Sequence, residues 1–126
     1  MKEKKYLKLN DVNSYKLSFG LSNQVWEILI KWEYFAKDTV GKQFVRAIDS
    51  ISANIAEGFG RYGKKDKIRF YRYSRGSVYE SLDWLEKARI RNLVTINQYQ
   101  NIFQVSETLP RKINHLISYS RKKLDQ

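Results

Sequence analysis

The sequence predicts an all-α protein, an antiparallel up-down-up-down four-helix bundle, and three observations carry that prediction. Apolar residues recur at intervals of three and four over long stretches, the spacing that lines one side of a helix. One proline and six glycines in 126 residues leave few places for a helix to stop. Strand alternation is weak throughout, and the β-branched residues fall at helical spacing. Short connections between long helices then force neighbours to run in opposite directions. A chain of this length forms one domain with a real core.

Residues 1–12 read as a basic N-terminal arm, expected to be disordered, and residues 13–126 as the single helical domain. The arm has no apolar run, so it is not a secretory leader. The first helix is expected over residues 14–36, with Leu17, Leu21, Val25, Ile28, Trp32 and Phe35 on one stripe and Asn13 or Ser14 as N-cap. Residues 38–41 connect it to a second helix over 42–59, which Gly58, Gly60 and Gly63 are expected to end. A third helix covers 65–91, residues 92–95 turn, and a fourth helix runs over 96–121. Pro110 lies inside that last pattern, where its missing donor predicts a kink or a restart.

The third helix has two usable stripes. Ile68, Tyr71, Arg75, Val78, Leu82, Leu85 and Arg89 form one; Phe70, Ser74, Ser77, Ser81, Trp84 and Ala88 form the other. A monomeric bundle needs one buried stripe per helix, so the second, with three Trp and nine Tyr in the chain, predicts self-association. Gly76 in mid-helix costs about 1 kcal/mol of propensity, which a close helix approach would offset.

Residues 46–61, RAIDSISANIAEGFGR, place Ile48, Ile51, Ile55 and Phe59 on one stripe, with Ser52, Ala53 and Ala56 as small neighbours. Asn54 and Glu57 lie beside those apolar residues, and a buried amide or carboxylate needs partners. The expected arrangement pairs a buried Glu57 with Arg46 or Arg75, with Asn54 assisting, and so fixes the register between helices.

Twenty-four Lys and Arg against thirteen Asp and Glu give a formal charge of +11. Seven of the cations, Arg61, Lys64, Lys65, Lys67, Arg69, Arg72 and Arg75, fall within fifteen residues that hold one acid, Asp66. Such a field favours polyanions. Arg's planar fork suits phosphate, and Tyr62, Tyr71 and Tyr73 interleave as stacking partners.

Catalytic chemistry has little to work with. The absence of cysteine excludes disulfides and thiolate metal sites, and His115 is a lone histidine with no second imidazole to share a metal. No serine has a nucleophile context, and GFGRYG matches no phosphate loop. Arg111 and His115 share a helical face, but only three residues lie between them, where all-helical ribonucleases have four to six between their Arg and His. No cofactor, metal or catalytic residue is predicted. No apolar run approaches the roughly 18 residues of a membrane span, so no membrane partner is expected and the cytoplasm is the predicted location.

The segment AIDSISANIAEGFGR closely resembles the signature of the small four-helix-bundle proteins encoded by intervening sequences in bacterial 23S rRNA genes. RFYRYSRGSVYESL, residues 69–82, resembles that family's second block, with Gly76, Ser77 and Glu80 at the expected places. The accessory variability protein of diversity-generating retroelements is similar. The resemblance covers residues 13–121 and implies a homopentameric barrel of four-helix bundles, with Gly76, Ser77 and Glu80 as structural positions. The retroelement relative is a basic subunit that binds its reverse transcriptase and nucleic acid. Two features depart from the family pattern: Tyr73-Ser74-Arg75 stands where many relatives have small apolar residues, and Pro110 interrupts the last helix.

The leading expectation is a non-enzymatic, oligomeric, basic protein that binds nucleic acid, RNA first, or assists a nucleic-acid-processing partner. The alternative is an adaptor docking an acidic protein such as a reverse transcriptase, and the remote alternative is a ribonuclease using His115.

Overall fold

The computed structural model describes residues 8–123, which are helical apart from turns. Four helices dominate: α1 (Asn13–Leu29), α2 (Lys42–Phe59), α3 (Lys64–Ile90) and α4 (Ile96–Lys123). No strand occurs among the described residues. Each helix packs on the next, and α4 returns to α1. A short 3-10 turn (Leu9–Asp11) precedes α1; beside it Leu9 packs on the core and Val12 is buried. The first seven residues of the expected arm lie outside the described residues.

The first helix is shorter than its apolar pattern predicts. It ends at Leu29, and the Lys31 and Trp32 amides bond three residues back, at 3.2 and 3.1 Å, tightening the last turn. Glu33 is extended, with φ −65° and ψ 161°, and Lys37 Nζ donates to the freed Ile30 carbonyl at 3.3 Å. A short helical turn (Tyr34–Ala36) and a π-turn (Lys37–Gly41) then lead without a loop into α2. The expected connection at 38–41 is therefore helical, and the true break lies at 30–33. Trp32 packs against the core from this corner, while Phe35 is exposed. Tertiary packing overrides local periodicity here. Neither Asn13 nor Ser14 caps α1; Val12 holds that position without a side-chain bond.

The core takes most of its residues in α1, α2 and α3 from the predicted stripes and adds Phe44 of α2 and Leu109 and Ile113 of α4, which no predicted stripe contained. Leu21, Val25, Phe44, Ile48, Ile51, Ile55, Val78, Leu85, Leu109 and Ile113 are each at most 2 % exposed. Eight serines are buried as well, and most bond a carbonyl three or four residues back in their own helix. Their small size lets helices close in without leaving hydroxyls unpaired. Thr95 and Gln98 form a reciprocal capping box at the start of α4, with bonds of 2.9 and 3.1 Å. The helix continues through Pro110 without restarting, held on both sides by buried Ile102, Leu109, Ile113 and Ile117.

The α2–α3 contact corrects three expectations. Gly58 does not end α2 but lies inside it, where an added Cβ would come 2.7 Å from the Tyr71 ring. Glycine is required there because the helices touch. The second stripe of α3 is not spare: Ser74 Oγ donates to the Ile51 carbonyl at 2.7 Å, Ser50 Oγ donates to Ser77 Oγ at 2.8 Å, and Ser81 and Ala88 are buried. Its use within the chain removes that premise for self-association. Gly76 has no neighbour within 4 Å of a would-be Cβ, so no close approach among the described residues explains it.

Asn54 and Glu57 do not set register. Glu57 is exposed and pairs with Arg61 at 2.9 Å, one turn along, while Asn54 Nδ2 donates to Ser50 O of its own helix at 2.8 Å. Arg75 bonds Asn114 instead. The link between helices is made by Arg46 with Glu80, which also accepts from Trp84 Nε1 at 3.4 Å. Glu57 lies near the end of α2, where the helix edge faces solvent; Arg46 and Glu80 flank the interior of the α2–α3 contact.

Candidate nucleic-acid interface

Folding divides the basic run into two sets. Lys67 Nζ donates to the Phe59 and Gly58 carbonyls at 2.7 and 3.4 Å and lies 5.6 Å from the Phe59 ring centre. It caps the exposed carbonyl end of α2, where a cation is favoured by the helix dipole. Burial pushes its ammonium below the usual lysine value. Arg61 is turned onto Glu57 and the Phe70 ring, 4.6 Å from its centre, and Arg75 reaches across to Asn114 of α4. These three serve the fold.

The other four stand together. Lys64, Lys65, Arg69 and Arg72 line one side of a groove of about 640 Å³, with Ile68 as its apolar wall and Arg121 closing it from the last turns of α4. Among the described residues, five cations and no carboxylate line this groove. Arg69 also bonds Asp66 at 3.0 Å yet keeps an exposed side chain, and an exposed pair of this kind holds the guanidinium only weakly. Lys65 and Arg72 are exposed and form no ion pair among the described residues.

Local structure adds to the field. α3 begins at Lys64 after an extended Gly63 that offers no side-chain cap. Its first amides and the positive end of its dipole therefore face the same region as the cations. Like charges held within a Debye length repel one another, and an incoming chain of phosphates relieves that repulsion.

Sequence reasoning missed Arg121. It lies about fifty positions from the basic run, and reaching it requires the register that sets Tyr71 against Ser120. The basic tail at 121–123 was the available signal. Of the proposed stacking residues, Tyr71 is buried at 2 % exposure and cannot meet a base, whereas Tyr62 and Tyr73 are exposed. His115 is separate: it lines a 390 Å³ concavity with Asp11, Lys112 and Tyr119. Among the described residues no three His, Cys, Asp or Glu side chains gather as a metal site. A further concavity of about 570 Å³ lies beside Phe35, Val40, Trp84 and Leu93, near the opposite end of α3. No helix among the described residues is long and apolar enough to cross a membrane.

Comparisons with known proteins agree with this architecture. A solved structure from Bacteroides thetaiotaomicron, a protein of unknown function from the S23 ribosomal protein family, superposes with a TM-score of 0.74 at 21 % identity, covering 82 % of this chain and 97 % of that one. At that identity the likeness shows the fold. No protein of curated function matches the chain. The family model for 23S rRNA-intervening sequence proteins matches residues 10–115, and the chain belongs to that family.

Proposed function

We propose that this protein is a non-enzymatic nucleic-acid-binding module, with RNA as its natural ligand, acting alone or beside a nucleic-acid-processing partner. The observation that carries the reading is the groove in which Lys64, Lys65, Arg69, Arg72 and Arg121 converge, with no carboxylate among its described lining residues. Phosphates of the backbone occupy the groove, and their displaced counterions supply most of the affinity. A cytoplasmic location follows from such a ligand.

The architecture we infer is up-down-up-down. Along α2 and α3, Arg46 meets Glu80, Ile51 meets Ser74 and Gly58 meets Tyr71, so one number falls as the other rises. Along α3 and α4, Arg75 meets Asn114 and Glu86 meets Tyr99 in the same sense. The family resemblance supports a homopentameric barrel, and the exposed Phe19 and Trp26 of α1, with Ile30 just past its end, offer apolar surface to it. Sedimentation equilibrium reads the subunit number directly.

Titrating a labelled single-stranded RNA at several salt concentrations tests the binding reading. Five neutralised phosphates give a log–log slope of about −3.5, at about 0.7 per phosphate on a single strand. Affinity that stays flat between low and physiological salt overturns it.

A further inference from the structure

The groove continues onto an open strip of α3. Lys65, Arg69, Arg72, Gly76 and Tyr79 follow one another at intervals of three or four, so they share the outer side of the helix over about 21 Å. All five are exposed. Gly76 interrupts the strip with a bare patch of backbone: a side chain there would meet nothing within 4 Å. Tyr73 and Tyr79, 51 % and 60 % exposed, stand one on each side of it, each about 60° round the helix axis. Phe70 braces Tyr73 edge-on, with ring centres 5.6 Å apart.

A glycine inside a 27-residue helix lowers that helix's stability, and nothing among the described residues requires it. Two exposed aromatic rings flanking it form a saddle that admits a flat group against the helix surface. The cations leading to the saddle select a negatively charged occupant. Flat rings attached to a phosphate chain meet both demands.

We propose that a single-stranded nucleic acid leaves the groove along α3 and stacks bases on Tyr73 and Tyr79 across Gly76. This rests on the groove's being a nucleic-acid site, and it names the strand form that the site prefers. Paired bases in a duplex present no open face to the tyrosines, so the duplex gains only the phosphate contacts.

Fluorescence anisotropy with one labelled RNA sequence, single-stranded and as a duplex, tests the assignment. The Tyr73→Ala/Tyr79→Ala variant is expected to lose at least about thirtyfold in single-strand affinity and less than about twofold for duplex. Gly76→Leu fills the saddle; it is expected to raise the melting temperature while lowering single-strand affinity. Circular dichroism and sedimentation confirm that fold and mass are unchanged. Equal single-strand affinity in wild type and variants overturns the stacking while leaving the groove intact. A changed sedimentation mass assigns the strip to contact between copies and also overturns it. Absence of binding to either RNA by the wild type overturns both this inference and the groove reading.

Discussion

The two sides of α3 use one run of cations in opposite ways. On the side facing α2, Lys67 caps the helix end and Arg61 covers Phe70, so charge is drawn into holding the fold. On the side facing solvent and α4, Lys64, Lys65, Arg69 and Arg72 gather with Arg121 around an open groove. A count of charges along the sequence treats these residues as equivalent. Their work differs because the helix turns about 100° per residue, so neighbours in sequence face different surroundings.

The largest effect that separates the two sides is expected at Gly58. Its would-be Cβ lies 2.7 Å from the Tyr71 ring and 3.0 Å from the Lys67 carbonyl, so Gly58→Val forces the helices apart. A loss of about 3 kcal/mol is expected in urea unfolding, with the salt slope of RNA binding unchanged wherever the protein stays folded. An unaltered midpoint breaks the claim that this side is close-packed.

Reversing Arg69 and Arg72 to Glu addresses the other side. The groove changes from five cations to three cations and two anions, and single-strand affinity at low salt is expected to fall about a hundredfold, or ~2.7 kcal/mol. The melting temperature should hold, since both side chains are exposed. Retained affinity places the binding surface elsewhere.

Tyr71 provides a pH test of the buried side. Burial pushes its hydroxyl up to about 12 from the usual tyrosine value near 10, opposed by a hydrogen bond with Ser120. The folded state thus holds the proton more tightly than the unfolded state does. Its contribution is complete below pH 10 and is lost as pH rises from 10 to about 12, removing about 2–3 kcal/mol. Tyr71→Phe should flatten that part of the alkaline unfolding profile, measured by circular dichroism; an unchanged profile contradicts the assignment.

Much of this was legible in the sequence, and the exceptions share a cause. The bounds of α2 match the expected 42–59, and those of α3 and α4 fall within two residues of expectation; Gly60, Gly63 and the Thr95 cap mark three of these ends locally, whereas α2 begins within continuous helix at Gly41. The end of α1 was not legible: residues 30–33 contain no glycine or proline, and packing of Trp32 decides the break. The same holds for side-chain roles. Glu57 looked like a buried register group because it neighbours isoleucines in sequence, yet its nearest opposite charge is Arg61, four residues on. Gly58 looked like a stop signal, and only the distance to Tyr71 shows its packing role. Four of the groove's five cations were visible as a cluster, whereas Arg121 depends on which turn of α4 meets α3.

Lys67 and Arg72 allow the most direct test, since both are cations of the same run held in different surroundings. Lys67→Met and Arg72→Met remove one positive charge each, and both are read by RNA anisotropy and thermal unfolding. Lys67→Met should cost about 1 kcal/mol of stability with little change in affinity, because the carbonyl end of α2 loses its cap. Arg72→Met should leave the melting temperature in place and reduce the salt slope by about 0.7. Equal losses of affinity from the two variants, with no difference in stability, would contradict the division of α3 into a folding side and a binding side.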